Sequence, residues 1–222
     1  MMIRGEELPG DWESEDWDQV EYAFGDHTEI PLQQWKENSG EISFESASVR
    51  IGWRHDKIYV LATMEDRSIV TGIPREDQQL WERGDAVEVF LQSFSASECY
   101  QLQATPDGET LQLGYPDTDV ITNLRHGNMA ELSHFVVCKP VFAVRTQVKD
   151  GKWRILVEVP SQVLFSDDGL LLGRACWLSV CRHDHWADAR PPCVSSTSPH
   201  LKTDYHQQKD WGLVYFVMHR AR

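Results

Sequence analysis

One stretch decides the fold of this 222-residue chain: Leu80-Trp81-Glu82-Arg83-Gly84-Asp85-Ala86-Val87-Glu88-Val89-Phe90-Leu91. A charged turn that contains Gly84 leads into an apolar run, which Glu88 interrupts. Because side chains alternate between the two faces of a β-strand, Glu88 and Phe90 share one face and Val89 lies on the other. The pattern predicts a strand with one apolar face and one face that carries a carboxylate near a tryptophan.

Similar β-rich runs recur on both sides of this stretch, with turn signals between them. They cover residues 47–54, 57–66, 86–92, 99–105, 110–114, 135–148, 152–159, 175–182 and 213–218. The clearest hairpin signal is Asp150-Gly151, and no segment longer than about ten residues keeps a helical period. We predict an all-β protein, an antiparallel β-sandwich, with loops over 116–133 and 183–210.

The N-terminal part of the chain differs in composition from the rest. The first 50 residues carry thirteen Asp or Glu against three Lys or Arg, a balance of −10 within the net charge of −14. We therefore predict an irregular acidic N-terminal leader over 1–40, packed on a β-sandwich domain over 41–222. Within the leader, the segment that begins at Asp16 favours a short helical turn.

The charge and the apolar pattern limit the partners and the compartment. An acidic surface repels phosphate backbones and anionic headgroups, so we expect no nucleic-acid partner and, without a long apolar run, no membrane insertion. The N-terminus shows no signal-peptide core. The five cysteines include no CxxC motif, which indicates buried reduced thiols and favours a cytoplasmic compartment.

The sequence shows no motif of an enzyme. It contains no GxSxG, no HExxH, no Walker loop and no dinucleotide fingerprint. Asp85 and Glu88 are close in sequence, but nothing pairs them as the acid and nucleophile of a glycosidase. We therefore expect a protein without catalytic activity.

A predicted sheet face that carries polar side chains is a better candidate for a functional site. If the strand that contains Gln101 and Gln103 pairs with the strand of Glu88, the three side chains share a face with Trp81 nearby. A flat aromatic ring covers the C–H face of a sugar, and amide or carboxylate groups bind its hydroxyls. The alternatives are a core tryptophan and an ordinary solvated sheet face.

Two kinds of metal site are conceivable. The triplet His183-Asp184-His185 has Cys193, His200 and His206 nearby in sequence, but the spacing of this set is too loose to indicate zinc and the HxH motif alone is weak. We expect these to be solvated loop histidines. Calcium prefers clustered carboxylates, which Asp66, Asp77 and the N-terminal acids can supply, so calcium is a candidate ligand.

Several motifs then resemble a known family when they are taken in order. They are Val49–Val60, Leu80–Leu91, Tyr100–Gln103, Trp153–Pro160, Leu178–Arg182 and Tyr205–Phe216. This order resembles carbohydrate-binding module family 9 and its relatives, which share a DOMON-like, jelly-roll-like β-sandwich. The resemblance covers roughly residues 47–217 and implies a non-catalytic module whose partner is a glycan or small polyol.

The resemblance also implies roles for individual residues. In sugar-binding members two aromatic side chains grip the ring; Trp81 matches the first, and Tyr205 is nearest to the second. Glu88 matches a sugar-contacting acid, Gln103 stands where binders use a basic residue, and Cys181 stands where they use an amide. We expect Glu88, Gln103 and Arg182 to bind hydroxyls, with a buried, acid-paired Arg182 as the alternative. Some members bind calcium structurally, and the family favours an extracytoplasmic location.

Two other functions remain open at this point. The first is a structural domain with a protein partner that keeps the sandwich and has lost sugar binding. The second is a haem-binding DOMON-like protein, for which Met64, Met129 and His126 are candidate axial ligands.

Overall fold

A computed structural model describes residues 1–34, 45–72, 79–125, 131–137, 139–165, 171–188, 191–198 and 206–218. Most of the regular structure in these residues is β-strand. The strands are β1 (Met2–Glu7), β2 (Ile30–Pro31), β3 (Gln33–Gln34), β4 (Ala47–Arg54), β5 (Lys57–Glu65), β6 (Ala86–Ser93), β7 (Cys99–Ala104), β8 (Thr110–Tyr115), β9 (Ala143–Lys149), β10 (Lys152–Pro160), β11 (Ala175–Asp184), β12 (Cys193–Ser196) and β13 (Gly212–Val217). Two short helices, α1 (Trp17–Phe24) and α2 (Thr118–Arg125), accompany them. The predicted all-β class is confirmed.

The strands form one continuous, folded-over sheet in the order β8-β7-β6-β11-β13-β1-β4-β5-β10-β9. The half from β8 to β13 packs against the half from β4 to β9, which gives the predicted sandwich. Pairing is antiparallel along this path, except that β1 runs parallel to both β13 and β4. β1 thus joins the two halves.

The main core lies between the two halves. Val89 of β6, Val180 of β11, Val60 of β5 and Val157 of β10 are at most 1% exposed and belong to one apolar cluster. Alternation sends the neighbouring side chains of these strands outward, so Glu88 lies on the side away from this core. The division of faces predicted for the stretch around Glu88 is confirmed.

The β9–β10 hairpin also forms as predicted. Its turn has positive φ at both central residues, +54° at Asp150 and +71° at Gly151. This is the geometry of a type I′ turn, whose twist matches that of the flanking strands and which favours the Asp-Gly pair.

The prediction of an irregular leader is wrong for much of residues 1–34. β1 is a strand of the main sheet, and α1 begins after an N-cap at Asp16, whose carboxylate accepts a hydrogen bond from the Asp18 amide. α1 buries Val20 and Phe24 against the outer face of β5. β1 pairs in parallel with β13 and β4, which are distant in sequence. It is not joined to either of them by a tight turn, so no turn motif next to it in the sequence indicates the pairing. The predicted boundary at residue 40 lies outside the described residues.

Two predicted loops also contain regular structure. α2 lies within 116–133, and β11 continues to Asp184 before β12 pairs back onto it. The helices α1 and α2 are each only eight residues long, so their sequences are too short for a helical period to be recognised.

The junction made by β1 gives a direct test. Ile3 is 4% exposed and packs in the main core, so we expect Ile3→Ala to reduce the free energy of unfolding by about 2–5 kcal/mol. Met2, its neighbour on the same strand, is 76% exposed, and Met2→Ala should change it by less than about 0.5 kcal/mol. Urea unfolding measures both; equal effects would contradict the assignment of β1 to the core.

Candidate functional site

The outer face of β6, β7, β8 and β11 carries polar side chains that solvent does not reach. Glu88 is opposite Gln103 on β7 and opposite Cys181 on β11. Glu88 and Gln103 are 0% exposed and His183 is 3% exposed. A buried charge is stable only where hydrogen bonds replace its hydration.

Three side chains provide those hydrogen bonds to Glu88. The Nε2 groups of Gln101 and Gln103 donate to its Oε1 over 2.6 and 3.0 Å, and Nε2 of His183 donates to its Oε2 over 3.0 Å. Burial opposes ionisation, but the bond and charge of His183, with smaller contributions from His206 and Gln101, hold the pKa of Glu88 below its ordinary value. Glu88 is therefore a buried, ionised carboxylate.

The network continues from Glu88 to Trp81. Gln103 accepts a hydrogen bond from the Leu80 amide over 2.9 Å and donates to Oε1 of Gln79 over 2.6 Å. The same Oε1 accepts from Nε1 of Trp81 over 2.9 Å. The 3-10 turn that carries Trp81 is thus fixed to the sheet through Gln103, and the indole is left partly exposed.

Two histidines complete the support of Trp81. The ring of His183 stacks on the indole, with centroids 5.1 Å apart and planes 19° from parallel. His185 donates from Nε2 to the Trp81 carbonyl over 2.9 Å, and its amide donates to Oδ1 of Asp85. The imidazole covers one face of the indole, so a ligand that stacks on this ring has to use the other face.

Further aromatic rings lie next to this network on the same face. Phe90 contacts Trp211 with centroids 5.4 Å apart and meets the edge of His206 at 5.3 Å. Tyr205, predicted as the second aromatic of a clamp, lies outside the described residues, so the clamp stays a prediction.

Arg182 does not join this site. Alternation along β11 directs it to the opposite face from His183, where it is 0% exposed. Its Nη2 lies 3.2 Å from Asp66 Oδ2 and 3.1 Å from Asp184 Oδ1. The structure therefore supports the alternative, a buried arginine paired to acids, and the predicted contact of Arg182 with ligand hydroxyls has no support.

The structure brings together Trp81, Glu88 and Gln103 as the sequence predicts, and it adds His183 and His185. Both were predicted as solvated loop residues. For His183 this is wrong because β11 extends two residues beyond the predicted strand. His185 lies in the loop just after β11, where it is half-buried and hydrogen-bonded to Trp81 and Asp85. The alternation of Cys181, Arg182 and His183 was the available signal, since it places His183 on the face of Glu88.

The candidate haem ligands receive no support from the described residues. Met64 is fully buried in the main core, while Met129 and His126 lie outside the described residues.

The described cysteines are buried and form no disulfide with one another. Burial raises the pKa of Cys99 and Cys176 to about 12. This agrees with the prediction of buried reduced thiols.

No model of a protein family and no curated protein matches the sequence. Among solved structures, a candidate carbohydrate-binding protein from Bacteroides uniformis matches with a TM-score of 0.72 at 15% identity, over 97% of this chain and 98% of that one.

Two further matches are complexes of a carbohydrate-binding module family 9 protein from Caldicellulosiruptor kristjanssonii. The complex with cellotriose has a TM-score of 0.65 at 11% identity, over 99% of this chain and 95% of that one. The complex with glucose has a TM-score of 0.62 at 11% identity, over 100% and 98%. The chain therefore has the fold of family 9 carbohydrate-binding modules, as the motif resemblance predicted.

No helix within the described residues is both long and apolar enough to cross a bilayer.

The acids around Arg182 predict a dependence of stability on pH. Burial raises the pKa of Asp184 to about 7 and that of Asp85 to about 6, from an ordinary 3.8. The folded protein thus holds these protons more tightly than the unfolded chain, and the stability they contribute is lost as pH rises through about 6 to 7. We expect the free energy of unfolding to fall as pH rises from about 4, the ordinary pKa of these groups, to about 7, the raised pKa of Asp184, with no further fall from these groups above that pH. In the Asp184→Asn variant, the decrease in the free energy of unfolding over this pH range should be smaller by on the order of 1 kcal/mol. Urea unfolding at several pH values measures it, and the same pH profile for the variant and the natural chain would contradict the prediction.

Proposed function

We propose that this chain is a non-catalytic carbohydrate-binding module that stacks a sugar ring on the face of Trp81 that His183 does not cover. The observation that carries the proposal is a partly exposed indole held rigidly by Gln79 and His183. The fold likeness supports it, because two of the matching structures are complexes with glucose and cellotriose. Their ligands indicate the class of sugar to test first.

The stack is physically favourable because the indole is prepared for it before the ligand arrives. A free tryptophan side chain would have to be ordered on binding, at about 0.5–1.5 kcal/mol for a flexible side chain. Here the hydrogen bond to Gln79 and the ring of His183 fix its orientation in advance. The apolar C–H face of a pyranose can then cover the remaining face of the indole.

Glu88 and Gln103 have a different role in this proposal from the one that the resemblance implies. Both are fully buried and their bonds run to protein groups, in the order Glu88, Gln103, Gln79 and Trp81. We propose that they position the indole. Direct contact between these two side chains and sugar hydroxyls stays a prediction.

The same burial favours one competing function. If the polar face serves only to fix the packing of the outer sheet, the domain is a structural or protein-interaction module with an incidental tryptophan. The two functions are distinguished by whether Trp81 is needed for glycan binding: a binding module requires it, and a structural module does not.

Trp81→Ala tests the stacking directly. We expect it to weaken binding of cellotriose or glucose by about tenfold or more, which corresponds to about 1.4 kcal/mol. Phe94→Ala is the control, because Phe94 is an exposed aromatic at 61% and follows the end of β6 that is opposite to Trp81. Isothermal titration calorimetry and a glycan array measure both. Equal binding by Trp81→Ala and the natural chain would exclude the stack.

Gln103→Leu tests the positioning role. The change leaves the Leu80 amide without its acceptor and removes one of the two hydrogen bonds to Oε1 of Glu88, so we expect a loss of about 1–3 kcal/mol in stability. We also expect faster hydrogen exchange of the amides of residues 79–82 and weaker glycan binding. If exchange there is unchanged while binding is lost, Gln103 contacts the sugar instead of holding the indole.

A further inference from the structure

Three carboxylates meet near the end of β11, on the face opposite to that of His183. Glu45 lies just before β4, Asp66 just after β5, and Asp184 ends β11. One oxygen from each lies within 4.8 Å of the others, and Asp66 and Asp184 are 3% and 5% exposed. Acids so close and so buried repel one another unless a cation lies among them.

The chain supplies a cation of its own at this place. Nη2 of Arg182 lies 3.2 Å from Asp66 Oδ2 and 3.1 Å from Asp184 Oδ1, so one nitrogen bridges the two carboxylates. Its Nη1 donates to the Glu45 carbonyl over 3.1 Å. The guanidinium, which is 0% exposed, therefore contacts all three acidic residues.

The other oxygens of these carboxylates are also engaged. Oδ1 of Asp66 accepts from the Ser68 amide, while Glu45 accepts from the Arg67 amide at Oε2 and lies 3.5 Å from the Arg67 guanidinium at Oε1. Only Oδ2 of Asp184 has no hydrogen-bond partner among the described residues. Ca²⁺ takes six to eight oxygens at about 2.3–2.6 Å. The calcium that the family resemblance implies therefore does not fit this cluster while Arg182 is in place.

We infer that these three acids form a latent divalent-cation site whose resident cation is the guanidinium of Arg182. The arginine joins the end of β5, the end of β11 and the segment before β4, which is the task of a structural metal ion. The natural chain then needs no calcium at this position. Removal of the guanidinium frees Asp66 Oδ2 and Asp184 Oδ1 beside the unpartnered Asp184 Oδ2, and the vacated position takes Ca²⁺.

Thermal unfolding with CaCl₂ or with EDTA tests the inference. The melting temperature of the natural chain should be the same in both, whereas that of Arg182→Met should rise by about 5 °C or more in calcium, because a ligand at about 100 times its Kd stabilises a protein of this size by that much. Arg182→Lys keeps a cation in place and should not respond. Arg182→Met with Asp184→Asn lacks a ligand and should not respond either.

Two results would overturn the inference. The first is that calcium raises the melting temperature of the natural chain and that Asp184→Asn abolishes this rise. The cluster would then hold a metal ion beside Arg182. The other is Arg182→Met that gains nothing from calcium. If that variant is unfolded in EDTA, recovery of a cooperative transition on adding calcium supports the latent site, and failure to recover overturns it.

Discussion

The carboxylate of Glu88, closed off from water in the middle of a sheet face, is the constraint on which the candidate site depends. An ionised group there is tolerated only because Gln101, Gln103 and His183 replace its hydration. Two of those donors also contact the turn or ring of Trp81. The need to satisfy one buried charge thus fixes the orientation of an indole, which is the group with the apolar surface that a sugar ring requires.

Successive side chains of β11 point to opposite faces of the sheet, where they meet two different environments. His183 turns toward Glu88 on the outer face, while Arg182 turns to the acids on the other side. A shift of register by one residue would exchange these side chains and leave two buried charges without partners. The polar contacts on both faces therefore specify the register of β11, and they do so at the position where β12 pairs with it.

Much of the fold follows from patterns within short windows of sequence. The strands around Val89, Val60 and Val157 are rich in β-branched and aromatic residues, and the Asp150-Gly151 turn has the residues that its geometry demands. The pairing of Glu88 with Gln103 follows from two adjacent alternating strands, so these two residues and Trp81 were predicted together. β1, α1 and α2 were missed or only partly indicated, because short elements that pair with distant segments leave little local signal.

The sequence by itself determined the class of fold and the polar character of one sheet face, since both depend on alternation and turn chemistry between near neighbours. Only the tertiary structure decided what the polar residues contact. Glu88 is buried because side chains of β7 and β11, the strands on either side of its own, surround it. Arg182 is an internal cation because the chain brings Glu45 and Asp66 from distant segments to a guanidinium that already lies beside Asp184. Contacts of this kind depend on the packing of remote strands, which no local pattern encodes.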